Sequence, residues 1–422
     1  MFQKYKLKNG TRVILVPQKN TKAATVLVLF GVGSRYEKES EAGISHFLEH
    51  VMFKGTTKRP NTLVLSQELD AIGAEFNAMT GKEATGYYVK ANAEHLDLAV
   101  EILADMLFNS KFEEEEIKRE SGTIIEEINM YEDAPAKMSD ALMEKIIFKN
   151  NNLEREILGF KKTVAATTRA KIVNYKEKHY LPTNCVVAIT GNVNGLKTKK
   201  IVEKYFGKKA ENKKKLNFEK FKEFQKAPQV KLKYKKTEQV HLAFGLTGPK
   251  AKDKDFLAGQ ILSVILGGSM SSRLFINIRE RHGLCYYIRS SFDSYQDVGV
   301  FSIVAGLDKK RIFSAIDLIL AEIRKIKKNG ITKDELKKAQ EFLKGHIILE
   351  MEDSAAVAEW FGRQEILFNQ NKTPEQKIAE VMKVTKKQVD AVARKIFKTE
   401  KLNLAIIGPY RNEKEFKKLL KI

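Results

Sequence analysis

The sequence predicts an α+β fold built from two duplicated domains, each a mostly antiparallel sheet flanked by helices. Strand-like and helix-like stretches occur in runs rather than in strict alternation, which favours antiparallel sheets over a parallel one. The length of 422 residues exceeds what one hydrophobic core usually serves. Segments of similar pattern also recur at nearly constant offsets. These three observations together indicate two related halves.

The first predicted elements are strands. Apolar residues alternate over 5–7 and 13–16, and Asn9 and Gly10 between them predict a β-hairpin with a type I′ turn. A third strand follows at 24–31. Helix-period segments then lie at 42–53, 64–72, 94–108, 114–131 and 136–148, and strand-like segments lie at 74–79 and 85–91.

The second half repeats elements of the first. Thr168 opens a helix-like segment followed by a strand, and Thr385 opens a similar one 217 residues later. Residues 26–31 resemble residues 240–245 at an offset of 214. Two separate blocks at nearly equal offsets indicate an internal duplication.

The predicted junction between the halves is a charged segment. Residues 211–228 are rich in lysine and end at Pro228, a composition typical of an exposed linker. We therefore predict an N-terminal zinc-binding domain over 1–210 and a related C-terminal domain without zinc over 229–422.

Composition restricts the class of protein. With 43% hydrophobic and 30% charged residues, the chain can bury large cores, which excludes general disorder. Its two cysteines, Cys185 and Cys285, exclude a disulfide framework and fit a reducing compartment. No apolar run approaches the roughly 18 residues of a membrane span, and the first residues lack the apolar centre of a signal peptide. We expect a cytoplasmic protein with no membrane partner.

The formal net charge of +22 allows two interpretations. A polyanion-binding module is one, because Lys and Arg release counterions from phosphates. The basic residues are spread along the chain, however, and zinc-finger spacing, an RNP motif and a basic zipper are all missing. We interpret the charge as a lysine-rich solvated surface and predict no nucleic-acid partner.

The motif that carries chemistry is His-x-x-Glu-His at residues 46–50. On a helix, His46 and His50 project from one face about one turn apart. That spacing lets two neutral imidazoles reach one zinc ion. Glu49 lies close enough to act on a water molecule at the metal. The pattern is that of the inverted zincins.

A third metal ligand is expected downstream. A catalytic zinc takes three protein ligands and keeps one open position, and no third histidine lies near the motif. The helix-like segment 119–133 supplies Glu120, Glu126 and Glu127. Glu120 and Glu127 are two helical turns apart and share a face. Spacing alone does not choose between Glu126 and Glu127.

These residues resemble the pitrilysin family of zinc peptidases, which includes insulin-degrading enzyme and the mitochondrial processing peptidases. The resemblance covers essentially the whole chain and implies that each domain is one half of a metallopeptidase clamshell. It rests on these residues: Gly33-Ser34-Arg35, His46-x-x-Glu49-His50, Phe53-Lys54-Gly55-Thr56, Phe76-Asn77-Ala78-x-Thr80, Glu120, Glu127, Arg279 and Tyr286.

The resemblance implies a catalytic zinc site with one Zn²⁺ per chain. It implies that His46, His50 and Glu127 bind the metal and that Glu49 is the general base. It also implies that Glu120 supports the ligands from behind. This assignment agrees with the chemistry of zinc peptidases, in which a carboxylate takes a proton from water.

The resemblance also implies residues for substrate binding. The strand with Asn77 and Ala78 would be a sheet edge that pairs with the peptide backbone, although from pattern alone Asn77 simply closes a strand. Arg279 and Tyr286 would close the active site and stabilise the tetrahedral intermediate. A thiol protease built on Cys285 is the rival interpretation of that segment.

The implied activity is that of a short, two-domain bacterial type of zinc metalloendopeptidase. It would cleave short unfolded peptides inside an enclosed chamber formed by a homodimer. Two alternatives stay open: a non-catalytic or hetero-oligomeric family subunit, and a processing peptidase that removes N-terminal presequences. Gly267-Gly268-Ser269 is only a short remnant of the glycine-rich loop that the processing peptidases carry.

Overall fold

A computed structural model describes residues 2–208 and 216–422 of the chain. Residues 211–215 of the predicted linker lie outside the described residues. Two compact units are present: the first comprises Met1–Ile128, Arg155–Phe218 and Ile348–Pro374, and the second comprises Asn129–Glu154, Glu219–Ile347 and Glu375–Ile422. None of the helices within the described ranges combines the length and apolar character that crossing a bilayer requires.

Strands and helices follow the predicted order in the first half. The strands are β1 (Gln3–Lys6), β2 (Arg12–Pro17), β3 (Ala23–Phe30), β4 (Glu75–Thr80), β5 (Thr85–Asn92), β6 (Cys185–Gly191), β7 (Gln229–Tyr234), β8 (Gln239–Gly248), β9 (Cys285–Ser294), β10 (Gly299–Asp308) and β11 (Asn403–Gly408). The helices are α1 (Ile44–Val51), α2 (Thr62–Asp70), α3 (Leu96–Asn109), α4 (Glu114–Glu132), α5 (Pro135–Ile147), α6 (Lys161–Ala165), α7 (Arg169–His179), α8 (Gly195–Phe206), α9 (Phe256–Gly267), α10 (Ile312–Asn329), α11 (Lys333–Glu350), α12 (Ser354–Phe368), α13 (Pro374–Met382), α14 (Lys386–Ile396) and α15 (Glu413–Leu419).

The N-terminal hairpin forms, but the prediction of a type I′ turn is wrong. That turn needs positive φ at both central residues, whereas Gly10 has a φ of 97° and Asn9 is not among the residues with positive φ. The amide of Gly10 donates to the carbonyl of Leu7, and the Leu7 amide donates to the carbonyl of Thr11. This is a longer loop with a glycine bulge. The side chain of Asn9 instead bonds Thr11 and Phe206, which fixes the longer form.

The first unit contains a six-stranded sheet in the order β1-β2-β6-β3-β5-β4. Only β2 and β6 are parallel, so the sheet is mostly antiparallel as predicted. The central strands β3 and β6 are buried along almost their whole length. β4 lies at one edge and pairs with β5 alone among the described strands. The outer side of β4 therefore pairs with no described strand.

The second unit repeats this arrangement. Its five-stranded sheet has the order β7-β11-β8-β10-β9, again with one parallel pair, β7 and β11. This order matches β2-β6-β3-β5-β4 of the first sheet strand for strand. Thr168 and Thr385 both cap helices, because their side chains accept hydrogen bonds from the amides of Lys171 and Gln388. The offset of 217 residues thus relates equivalent positions, as the duplication predicts.

Each unit contains one helix from the other half of the sequence. α5 belongs to the first half of the chain but packs on β8 and β11, where Ile147 shares a core cluster with Ala243. α12 belongs to the second half but packs on β3 and β6, where Phe361 shares a cluster with Leu27. The compact units therefore cross the linear division of the sequence.

Residues of the predicted linker make specific contacts within the second unit. Within the second unit, the ring of Phe221 meets Phe148 edge-on, with centroids 5.3 Å apart. The carboxylate of Glu223 accepts hydrogen bonds from Thr247 Oγ1 at 2.5 Å and Lys401 Nζ at 2.6 Å. These contacts fix the segment after residue 218 to the second unit, while most of its residues are exposed.

Candidate metal centre

The helix with the His-x-x-Glu-His motif is α1, and its start is capped from outside. The Glu37 carboxylate accepts hydrogen bonds from the amides of Gly43 and Ser45, each at 2.8 Å, and so satisfies donors that the first turn leaves unpaired. Gly43 has a φ of 93°, and a Cβ there would lie 2.6 Å from the carbonyl oxygen of Leu158. Glycine is therefore required at this position. Both features fix the helix just before the motif.

His46, His50 and Glu127 bring three possible ligand atoms together. Oε2 of Glu127 lies 3.6 Å from Nε2 of each histidine, and the three ligand atoms all lie within 4.8 Å of one another. Two donors bound to one tetrahedral zinc ion are about 3.4 Å apart, so the spacing fits zinc. Burial, with His50 adding to it, lowers the pKa of His46 to about 3. The imidazole is therefore neutral, as a metal ligand must be.

The structure distinguishes the two neighbouring glutamates that spacing left open. On α4, Glu127 projects towards the two histidines, whereas Glu126 is exposed. A set of two imidazoles and one carboxylate is also found in catalytic zinc sites that keep a fourth position for water or substrate. The donors present therefore suit catalysis better than a closed structural site.

Glu120 lies two turns before Glu127 and holds one of the histidines. Its Oε2 is 3.0 Å from Nδ1 of His50, and its Oε1 is 2.7 Å from Nζ of Lys54. With the proton on Nδ1, His50 presents Nε2 to a metal. Burial alone would raise the pKa of Glu120, but the hydrogen bonds from His50 and Lys54 outweigh it and lower the pKa. The carboxylate is thus kept ionised behind the ligand.

Glu49 is a half-buried carboxylate beside the ligands. Its Oε2 accepts a short hydrogen bond from Oγ1 of Thr80, the last residue of β4. Burial raises the pKa of Glu49, the Thr80 hydrogen bond and His50 oppose this, and Glu127 adds to it. A raised pKa suits a group that takes and releases protons near neutrality. No role for Thr80 follows from the sequence pattern alone, although its place at the end of a motif strand was a usable signal.

Asn77 and Ala78 lie in the middle of the edge strand β4. Asn77 is exposed, and its side-chain oxygen accepts a hydrogen bond from the amide of Ala78 at 2.8 Å. Ala78 and Thr80 are two residues apart and share one face of the sheet. Because Thr80 contacts Glu49, that face is turned towards the candidate metal centre. The edge strand therefore ends beside the candidate metal centre.

Arg279 and Tyr286 lie together in the second unit. Arg279 belongs to a π-helical segment, Phe275–Arg281, and Tyr286 is the second residue of β9. The guanidinium carbon of Arg279 is 5.4 Å from the ring centroid of Tyr286, and Tyr286 is 74% exposed. The second unit therefore presents a guanidinium and a phenol as paired hydrogen-bond donors.

The rival interpretation of this segment, a thiol protease, lacks an activated nucleophile. Burial, opposed by Arg279, raises the pKa of Cys285 to about 11. Such a thiol stays protonated near neutrality, whereas a nucleophilic cysteine needs a lowered pKa. Nδ1 of His282 bonds the carbonyl of Asn277 at 2.7 Å. The environment of Cys285 therefore argues against thiol chemistry.

Related sequences cover the whole length of the chain. Residues 12–161 match the family described as Insulinase (Peptidase family M16), and residues 166–343 match the Peptidase M16 inactive domain. The uncharacterized zinc protease YmxG of Bacillus subtilis is 36% identical over 412 residues, which are 98% of this chain and 99% of that protein. The uncharacterized zinc protease SCO5738 of Streptomyces coelicolor is 34% identical over 96% of this chain and 89% of that protein.

Solved structures show the same fold. A protease from Helicobacter pylori superimposes with a TM-score of 0.91 at 26% identity, over 97% of this chain and 99% of that chain. A peptidase M16 inactive domain from Pseudomonas fluorescens superimposes with a TM-score of 0.87 at 19% identity, over 98% of this chain and 99% of that chain, and shows the fold alone. The family matches in both halves and the near full-length zinc protease relatives establish that this chain belongs to peptidase family M16.

Proposed function

We propose that this chain is a zinc-dependent endopeptidase that cleaves short unfolded peptides. The observation that carries the proposal is the convergence of His46, His50 and Glu127 within 4.8 Å of one another beside the carboxylate of Glu49. Zinc bound by these three residues would lower the pKa of water and polarise the scissile carbonyl. Relatives named as zinc proteases support the choice of metal. One ion per chain is part of the proposal.

In this proposal Glu49 is the general base. Its Oε2 is held by Thr80, so we assign proton transfer to Oε1. Oε1 takes a proton from the attacking water and returns it to the leaving amine. Glu120, bonded to His50 and Lys54, keeps the imidazole in the tautomer and orientation that a ligand needs.

We propose that the substrate binds as an added strand along β4, where Asn77 and Ala78 contact its backbone. Main-chain hydrogen bonds supply much of the binding in this mode, so it selects extended chains and tolerates many sequences. The edge position of β4 supports this proposal, as does the contact between its last residue and Glu49.

We further propose that Arg279 and Tyr286 donate hydrogen bonds to the substrate carbonyl in a homodimer that encloses the reaction chamber. A guanidinium and a phenol suit the negative charge that develops on that oxygen. The retention of both donors in this chain supports a homodimer. A hetero-oligomer in which another chain supplies the donors would not need to retain them.

The test combines metal content and peptide hydrolysis on one purified preparation. We expect about one zinc per 48.0 kDa chain, cleavage of an internally quenched unfolded peptide, loss of cleavage on chelation, and recovery when zinc returns. Glu49→Gln should keep the zinc and lose roughly 10²- to 10⁴-fold in kcat, because only the base is removed. Glu126→Gln, an exposed neighbour of the proposed ligand Glu127, is the matched control and should behave as wild type.

Several outcomes separate this proposal from its alternatives. Full hydrolysis by Glu49→Gln, or by the zinc-free protein, would refute it. A wild-type chain that holds zinc but cleaves no peptide alone would favour a non-catalytic or hetero-oligomeric subunit. A sedimentation mass of one chain rather than two would remove the homodimer.

A further inference from the structure

The part of the predicted linker that belongs to the first unit ends at Phe218, whose ring covers the buried side chain of Arg35. Phe218 is the last residue of the first unit before the chain enters the second. The guanidinium carbon of Arg35 lies 3.8 Å from its ring centroid, and Tyr36 meets the same ring edge-on at 5.7 Å. The Arg35 side chain is fully buried. A guanidinium stacked on an aromatic face is attracted to it most strongly where water is excluded.

The same arginine is tied to the loop that follows β4. Nη1 of Arg35 donates to Oε1 of Glu83 at 2.6 Å, and both side chains are buried. The main-chain amide of Arg35 donates to the carbonyl of Lys82 at 3.0 Å. The loop continues directly from Thr80, whose hydroxyl holds Glu49. Arg35 therefore fixes the loop that directly follows Thr80, the residue whose hydroxyl donates to Glu49.

Arg35 also fixes the start of the motif helix through its own chain. Two residues later, Glu37 caps α1 by accepting from the amides of Gly43 and Ser45. Ser45 directly precedes His46. The Arg35 guanidinium that Phe218 covers is thus linked to two features of the site. One is the Glu37 cap of α1, and the other is the loop that follows β4.

We propose that Phe218 is a positioning residue for Glu49. By covering Arg35 it keeps water from the Arg35–Glu83 ion pair, which would weaken in contact with solvent, and so it orders both the cap of α1 and the loop after Thr80. The kinetic consequence rests on the proposed peptidase function. The ordering of the two segments does not, and it can be measured without substrate.

The test compares three variants. Phe218→Leu keeps an apolar side chain and removes the aromatic face, whereas Phe218→Tyr keeps the face. Phe224→Leu is the matched control, because Phe224 lies on the same segment but is 76% exposed. Each protein is assayed for kcat, KM and bound zinc, and for hydrogen–deuterium exchange over residues 33–45 and 75–85.

We expect Phe218→Leu to lower kcat about five- to thirtyfold, the loss that a desolvated cation–π contact corresponds to, with KM and bound zinc unchanged. Exchange should rise over both segments. Phe218→Tyr and Phe224→Leu should match wild type in every measurement.

Three results would overturn the proposal. One is an unchanged kcat and unchanged exchange in Phe218→Leu. A second is a lower melting temperature with wild-type kcat and wild-type exchange, which is what a merely structural role predicts. The third is that Phe218→Tyr loses as much as Phe218→Leu, because the aromatic face is then irrelevant. If wild type shows no peptidase activity, the proposed function fails, and raised exchange in Phe218→Leu alone still supports the positioning.

Discussion

Around the candidate metal centre, His50 and Glu49 are each held by a partner from a different element. Glu120 on α4 bonds His50 on α1, and Thr80 on β4 bonds Glu49. Partners of this kind set the orientation and basicity of a ligand, and their loss typically costs about 10- to 100-fold in metal affinity or activity. The centre is therefore a property of several packed elements rather than of one motif.

Asp140 on α5 provides a pH-dependent prediction for the second unit. Burial raises its pKa from 3.8 to about 6, Arg289 opposes this, and Glu144 and Asp293 add to it. The pKa of Asp140 is higher in the folded state than in the unfolded state. Its contribution to the free energy of unfolding is therefore fully present below about pH 4, is lost as the pH rises to about 6, and stays absent above that. A shift of about two units corresponds to at most about 3 kcal/mol.

Asp140→Asn should therefore raise the free energy of unfolding near pH 7.5 and leave it unchanged near pH 4. Denaturant titrations of both proteins at the two pH values measure the difference. An equal gain at both pH values would show that the substitution acts through packing and not through ionisation.

At this scale the sequence identified what local spacing determines. A separation of four residues on a helix was enough to predict that His46 and His50 share a face. Glu126 and Glu127 are both glutamates at nearly the same distance from the motif, so only the family resemblance distinguished them. The roles of Thr80 and Glu37 were not predicted. Each acts on a residue of another element, and such contacts depend on tertiary packing.

Among the elements, the edge strand β4 is the one whose function can be tested by a single backbone change. The amide of Ala78 is bonded by the Asn77 side chain, so this donor is not required for the strand to remain in place. Proline at 78 removes the donor and is tolerated best on an edge strand. If substrate binds along β4, the loss of one hydrogen bond should reduce kcat/KM about 3- to 10-fold.

The measurement is kcat/KM for Ala78→Pro, with zinc content as the check on folding. Ala78→Ser keeps the amide and is the control, for which we expect wild-type values. A proline variant with wild-type kcat/KM would place substrate elsewhere.

The helix and strand predictions were correct where the hydrophobic periodicity was clear. The turn prediction was wrong because side-chain hydrogen bonds determine the backbone conformation there. The helix over 42–53 was predicted from its apolar faces, and α1 spans Ile44–Val51. The turn at Asn9 and Gly10 was predicted from a dipeptide preference, but the bonds of the Asn9 side chain to Thr11 and Phe206 select another loop. Dipeptide statistics do not include such long-range partners.

For the whole molecule, the reciprocal placement of α5 and α12 predicts that neither half folds alone. Residues 1–218 lack α12, which covers Leu27 and neighbouring apolar residues of the first sheet. Residues 219–422 lack α5, which covers Ala243 in the second. We expect each half, expressed alone, to bind a hydrophobic dye and to unfold without a cooperative transition, because one face of each sheet is bare.

Co-expression of the two halves should yield a soluble complex with a cooperative thermal transition, since together they supply both helices. Either half unfolding cooperatively by itself, without dye binding, would contradict this expectation.

The duplication could be predicted from the sequence because both halves keep the same order of elements, so that capping residues such as Thr168 and Thr385 remain 217 residues apart. The exchange of helices could not. The apolar faces of α5 and α12 show that each helix packs on a sheet, but not on which of two similar sheets.

The exchange has a consequence for synthesis on the ribosome. The first unit is left incomplete after Phe218 and is finished only when Ile348 and the residues beyond it emerge, about 130 residues later. At about 5–20 residues per second, this takes roughly 6–26 s. During that interval a growing chain exposes the apolar surface that α12 later covers, which makes it prone to aggregation.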